Sequence, residues 1–404
     1  FFARRDRMTD LEALRGRRVL ILGGTGFVGA RLVERLARWH GAHVRVLLRD
    51  YATAARIARF PIELCRGDVR DRAAVEQAAK GCDILVHCAF GNWRTADDQR
   101  EITVGGTSSA LSAAQAAGVG RVVYVSTLSV YGLSTDGPLD ENSPRRASGT
   151  AYGDAKLEAE QIAQDYAQRG LAVSIVQPTV IYGPYGPNWT IEPIRRLRGA
   201  GQVMINDGTG LCNAVFVDDL VTGLLLAGVV PAAVGETFLI SGEAPVPWAR
   251  FIGHYQRMLG GGTTISLTPE QARKAWEQSQ RPPRLPDVAL SVLRRPGTIE
   301  ALATTPEFRR TLRLTKSLLP SRAWRALKRR AKGSDPEVGT RPVPVAPPAP
   351  RPSPPGPADI ALFGARQEVR IDKARRVLGF EPRYSLDAGM AVTENWARWA
   401  GLLG

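Results

Sequence analysis

Long apolar runs are missing from this chain of 404 residues. No uninterrupted hydrophobic segment approaches the ~20 residues that cross a bilayer, which excludes an ordinary transmembrane helix. The opening FFARRDRM has no apolar core of signal-peptide length, so export by that route is not expected. Met8 reads as a natural start, and residues 1–7 are set aside. Cysteine is scarce, and Cys65, Cys82, Cys88 and Cys212 form no C-x-x-C spacing. Buried free thiols in a reducing cytosol are expected instead of a disulfide framework. The histidines, His40, His43, His87 and His254, fall at no metal-ligand spacing, so no metal is expected.

Acidic residues are also in short supply, which leaves a formal net charge of +15. That excess points to nucleic acid until it is located. Residues 281–332 carry 14 Lys/Arg against 3 Asp/Glu, so most of the excess sits in one segment and the remaining chain is nearly balanced. No specific nucleic-acid partner is expected. The composition is that of a globular protein long enough for two domains plus extras.

What is present begins at Arg18–Gly29, RVLILGGTGFVG. The apolar run Val19–Leu22 stops at a glycine pair, and a helical pattern (Phe27, Val28, Leu32, Leu36) starts at once, the form of a buried strand turning into a helix. Gly23 permits a tight turn, Gly26 lets backbone approach a ligand, and Gly29 lets helix and strand pack closely. Free N–H groups and the positive helix end then suit a pyrophosphate, with Thr25, Phe27 and Val28 in the same bend. Strands and helices alternate onward: strands at Val44–Leu48, Ile62–Cys65, Asp83–Cys88 and Val122–Ser126, a helix capped by Asp71, and a long helix from about Asp97 to Ala117. Such alternation predicts a parallel sheet with helices on both faces. Arg49 follows the second strand where an acid would bind the ribose 2′-hydroxyl of NAD. A basic residue there favours the 2′-phosphate of NADP, with Asp50 arguing the other way. His87-Cys88-Ala89-Phe90 ends the fourth strand where small residues would lie against a cofactor.

Tyr152 and Lys156 are four apart on a helix spanning about Ala151–Arg169 and so share a face. A tyrosine near its usual pKa of ~10 is a poor base, and a nearby ammonium with cofactor charge lowers that pKa. Thr127 ends the fifth strand, where open α/β sheets bind ligands.

With those residues in hand, the chain resembles an extended short-chain dehydrogenase/reductase of the NAD-dependent epimerase/dehydratase family. The resemblance rests on GGTGFVG at 23–29, GDVRD at 67–71, VYVSTLSVYG at 123–132, YGDAK at 152–156, PTVIYGP at 178–184, FVDDL at 216–220 and DKARRVLGFEP at 372–382. It implies an α/β, Rossmann-type doubly wound parallel sheet with a small discontinuous C-terminal substrate domain. The expected boundaries are 8–176 for the dinucleotide-binding domain, with 211–242 partly returning to it. Residues 177–264 and 358–404 then form the substrate domain. The resemblance further implies Tyr152 as proton donor and acceptor, Lys156 as ribose ligand, and Thr127 in the Ser/Thr role. Asp68 and Val69 fall beside the adenine, Pro178, Thr179 and Val180 near the nicotinamide, and Cys88, Ala89, Phe90 and Ser126 along the cofactor. The cofactor is NAD or NADP, with the balance toward NADP, and a homodimer is expected.

Departures from the family pattern narrow the chemistry. Leu128-Ser129 stands where dehydratases carry an acid pair, which argues against 4,6-dehydration. Cys212 and Val180 stand where nucleotide-sugar epimerases often have Arg and Asn, Gln177 where Arg is common, and Thr103 where Asn is usual. The leading expectation is an NAD(P)-dependent oxidoreductase or epimerase acting on a secondary alcohol or ketone carbon of a sugar or sugar conjugate, such as a nucleotide-sugar in carbohydrate metabolism. An NADPH-dependent reductase of a non-sugar ketone, steroid- or flavonol-reductase-like, is the alternative. A catalytically idle cofactor-binding surface protein is the third reading.

Residues 265–340 read as a basic helical insertion and 341–357 as a proline-rich, extended linker. Leu and Trp alternate with Arg and Lys over 300–332. That pattern suits either a lid over the active site or contact with an anionic membrane or lipid-linked substrate. Tyr185 to Trp189 reads as a turn-rich lip or a plain connector. The protein is expected in the cytoplasm, with association to a membrane surface as the alternative.

Overall fold

The computed structural model describes residues 11–91, 95–281 and 352–403. The basic amphipathic stretch 300–332 and the proline-rich residues 341–351 lie outside them. Residues 1–276 and 350–404 form one compact unit and 277–349 another, of which the described residues include only the end of a helix, Pro269–Gln280.

The first unit is built on seven parallel strands. These are β1 (Arg18–Leu22), β2 (His43–Leu48), β3 (Glu63–Arg66), β4 (Ile84–His87), β5 (Arg121–Val125), β6 (Val173–Pro178) and β7 (Thr237–Ile240). Their order in the sheet is β7-β6-β5-β4-β1-β2-β3. The chain therefore winds outward from β1 to β3, then returns to the other side of β1, which opens a crevice between the ends of β1 and β4. Register aligns Val19 with Val44 on one side and with Ile84 on the other.

Alternation within the strands divides the core into two layers. Val19, Ile21, Val44, Val46 and Val123 face α1 (Phe27–Trp39) and α5 (Val217–Val229). Leu20, Leu22, Val122 and Tyr124 face α2 (Arg72–Ala79), α3 (Gly106–Ala116) and α4 (Ala151–Gln168). With helices on both faces, the central strands read as continuous apolar runs. The fold is the Rossmann-like α/β arrangement expected.

Local differences from the sequence reading have physical causes. The third strand is shifted one residue, to Glu63–Arg66, because it pairs only with β2 at the sheet edge and its partly exposed side chains give a weak pattern. The long helix expected over 97–117 is interrupted. Ala96–Arg100 is α-helical, Glu101–Gly105 forms a π turn, and α3 resumes at Gly106. Thr107 donates to the Thr103 carbonyl at 2.6 Å at this break. Gly106 packs so closely that a Cβ would come within 2.9 Å of Val69.

A third cluster is aromatic rather than aliphatic: Trp248, Phe251, Tyr255, Phe216, Tyr182 and Phe363. Short pairs frame it. Val180–Tyr182 pairs in parallel with Ala214–Phe216, and Gln202–Ile205 with Thr264–Leu267. The last pair carries ordered structure past the boundary expected at 264.

Candidate active site

The bend between β1 and α1 is held by the absence of side chains. Gly23 has φ +84, and a Cβ there would come within 2.7 Å of the Ala89 nitrogen and 2.9 Å of the Cys88 carbonyl carbon. A Cβ on Gly29 would sit 2.2 Å from the Gly23 oxygen. The bend thus packs backbone to backbone on Cys88-Ala89, just beyond β4. At Gly26 the helix starts with no capping side chain and no acid in its first turn. Its N–H groups and positive end are left to whatever lies in the bend, beside Thr25, Phe27 and Val28, and a pyrophosphate fits that donor set.

Beyond β2, Arg49 is exposed, while the Asp50 carboxylate accepts from Ala52 N at 2.9 Å and caps its own turn. The Asp68 carboxylate pairs with Arg70 (3.0 Å). That hydrogen bond holds its pKa below the usual range, with Arg49 adding to the effect. Val69 lies under Gly106, and Phe90 is exposed, its ring 6.0 Å from that of Tyr152 in an edge arrangement.

Helix α4 lays three side chains, one turn apart, onto the end of β5. Tyr152 is half-buried, with the Thr127 hydroxyl near its phenol. Burial raises the phenol's pKa, and the bond from Thr127 draws it partly back. Lys156 is buried and donates to the Val125 carbonyl at 2.8 Å. Its ammonium also sits 5.1 Å from the Tyr124 ring centroid. Burial pushes it down to about 8, against the pull of Cys88 and Glu160. Desolvation is the dominant influence of the protein itself on this phenol, and the lowering expected from the sequence draws also on the charge of a bound cofactor.

The third side chain is Glu160, wholly buried. It accepts from Ser126 Oγ, Arg145 Nε and, at 3.0 and 2.9 Å, Gln177 Nε2. Gln177 Oε1 accepts in turn from the Tyr131 hydroxyl at 2.8 Å. Ser126, expected along the cofactor, turns its hydroxyl inward to this carboxylate. Glu160 was not singled out from the sequence, although its place one turn beyond Lys156 was the available signal. Arg145 comes from a loop and gave none.

At the end of β6, Pro178 and Val180 are buried. Thr179 Oγ1 bonds to Ser241 Oγ at 3.1 Å, tying the end of β6 to that of β7. Cys212 is fully buried among Val180, Trp248 and Phe251, and burial drives its thiol pKa well up. Tyr185 adopts φ +68, its ring 3.9 Å from the Arg56 guanidinium and 4.8 Å from the Trp396 ring.

A family model described as "NAD dependent epimerase/dehydratase family" matches residues 19–241, more than half of the chain. The chain belongs to this family. Sterol demethylase protein B of Methylococcus capsulatus is 32% identical over 238 residues, which are 55% of this chain and 69% of that protein. The N-acetyl-alpha-D-glucosaminyl-diphospho-ditrans,octacis-undecaprenol 4-epimerase of Escherichia coli O157:H7 is 29% identical over 210 residues. That match covers 50% of this chain and 60% of the relative. Among solved structures, the dTDP-glucose 4,6-dehydratase DesIV of Streptomyces venezuelae, with NAD and TYD bound, superposes with a TM-score of 0.63 at 22% identity. It covers 95% of this chain and 97% of its own, a likeness of fold.

Proposed function

We propose that this member of the epimerase/dehydratase family is an NAD(P)-dependent oxidoreductase working at one secondary alcohol or ketone carbon. The observation that supports the reading is that Tyr152, Lys156 and Thr127 gather at the end of β5, two strands from the glycine bend that follows β1. Tyr152 holds and moves the hydroxyl proton, Thr127 orients the reacting oxygen, and Lys156 supplies positive charge and a donor to the cofactor ribose. The nicotinamide, when bound, supplies hydride transfer. Residues 23–29 take the pyrophosphate, Asp68 and Val69 lie beside the adenine, and Cys88–Phe90 with Pro178–Val180 flank the ring. Arg49 is exposed and Asp50 is engaged in its own turn, an arrangement that favours NADPH.

Two substrate classes fit this chemistry, and specific residues favour the apolar one. Cys212 and Val180 present no charge or amide to a sugar diphosphate, so a non-sugar ketone or its alcohol is the first reading. A sugar conjugate, with hydride leaving and returning on opposite faces, is the second, supported by the undecaprenol-linked relative. Mass spectrometry of ligands retained on purification separates them, together with NADPH absorbance against a panel of apolar ketones and UDP-sugars. Stoichiometric NADPH consumption with a ketone supports reduction. Tightly held NAD+ with UDP-sugar interconversion and no added cofactor supports epimerisation. No cofactor binding in any arm defeats both. A homodimer and contact of 300–332 with lipid remain proposals, tested by sedimentation and by liposome flotation with and without that stretch.

A further inference from the structure

We propose that Arg145 is a positioning residue. Its guanidinium, brought in from the loop between Asp140 and Thr150, balances the buried Glu160 carboxylate and so holds the end of β5 and Lys156 in working register. The proposal rests on the catalytic reading of Tyr152 and Lys156. The geometry is a three-point docking of one helix face onto three consecutive residues. Tyr152 lies near Thr127, Lys156 bonds to the Val125 carbonyl, and Glu160 accepts from the Ser126 hydroxyl. Loosening one point loosens its neighbours on both elements.

Glu160 is the point that cannot stand alone. An ionised carboxylate with no solvent contact needs a partner charge. The adjacent strand offers only the Gln177 amide, which donates to both oxygens but carries no charge. Among the described residues, Arg145 is the one cation in an ion pair with Glu160. It is half-buried, its guanidinium 5.8 Å from the Tyr131 ring centroid. Lys156, one turn back on the same helix, is bonded to Val125 instead. The other titratable groups around the pair are Tyr124 from β5 and Tyr131 from the turn after it, facing Glu160, and His87 and Cys88 from the end of β4, facing Lys156. None of these four supplies a balancing cation, since burial holds His87 neutral. Without Arg145, the free carboxylate competes for Lys156 and releases Ser126, and both changes reach the cofactor side.

The test uses the full chain as R145M, E160Q, R145M/E160Q, R145K and R145M/Q177R. It reads thermal unfolding and fluorescence titration with NADPH and NADH. R145M is expected to lower Tm by about 5–10 °C, the scale of a broken buried pair, and to weaken the preferred cofactor about tenfold. The R145M/E160Q loss should be smaller than the two single losses together. R145K, and R145M/Q177R with its charge moved to the strand, should recover most of the cofactor affinity, which a merely structural loop contact would not do. Additive losses overturn the proposal, as does unchanged affinity in R145M. Should R145M not fold, R145M/Q177R decides: recovered folding and binding support the pairing, and no recovery overturns it. If the wild type binds neither cofactor, the functional reading fails instead, and the thermal cycle alone judges the Arg145–Glu160 pair.

Discussion

The two sides of the cleft are made of different materials. The side proposed for the cofactor is mostly backbone: a glycine bend, strand ends and uncapped helix N–H groups, with few side chains fixing its shape. The side proposed for the substrate is mostly side chain, with an aromatic cluster under short strands, the buried Cys212, and Tyr185 held at positive φ between Arg56 and Trp396. A ligand shared across a family can be met by backbone, which tolerates sequence change. A ligand particular to one protein has to be met by side chains.

The sharpest way to break that contrast is Gly29→Val. The new Cβ would lie 2.2 Å from the Gly23 oxygen and 2.9 Å from the Gly24 Cα, both backbone atoms that cannot swing aside. NADPH affinity should fall about 100-fold, equivalent to about 3 kcal/mol of overpacking. Fluorescence titration measures it, and near-normal binding would show that the bend is not a backbone cradle. On the other side, Cys212→Arg forces a guanidinium into a fully buried position of the aromatic cluster. Tm should drop by about 5–10 °C with no gain in UDP-sugar affinity. A tolerated arginine that binds UDP-sugar would instead mark the pocket as a diphosphate site.

Arg49→Glu tests a side chain on the backbone-built side, where the effect should be moderate. The NADPH-to-NADH affinity ratio should fall about tenfold, because an anion then faces the 2′-phosphate. The last effect is expected from acid and builds up gradually, one pH unit at a time. His87 is fully buried, and burial pushes its pKa down to about 3 from the ordinary 6.5. Between those values the unfolded chain binds the proton and the folded chain does not, so stability is lost as pH falls from 6.5 toward 3. The slope is at most about 1.4 kcal/mol per pH unit. His87→Gln should flatten the Tm-versus-pH curve in that window. Parallel curves for wild type and variant would mean the imidazole is not held neutral.

The same contrast explains what could be read from sequence. The sheet and the glycine bend were legible because strand alternation, glycine spacing and the Tyr152/Lys156 spacing are local patterns with one physical solution. The broken helix at Glu101–Gly105 was not, since its cause is tertiary: Gly106 pressed on Val69. Spacing alone places an ammonium near a phenol, and it does not show that the ammonium is bonded to the Val125 carbonyl. Arg145 was invisible, because a loop residue that pairs with a buried carboxylate 15 positions away leaves no periodic trace.

The most direct measurement of the central claim is Tyr152→Phe, assayed for cofactor affinity and for turnover of whichever substrate the panel identifies. Affinity should stay within about twofold, while turnover falls about 1,000-fold, the scale of a lost general acid–base group. Turnover equal to wild type at full cofactor occupancy would contradict the assignment of Tyr152 as the proton-moving residue.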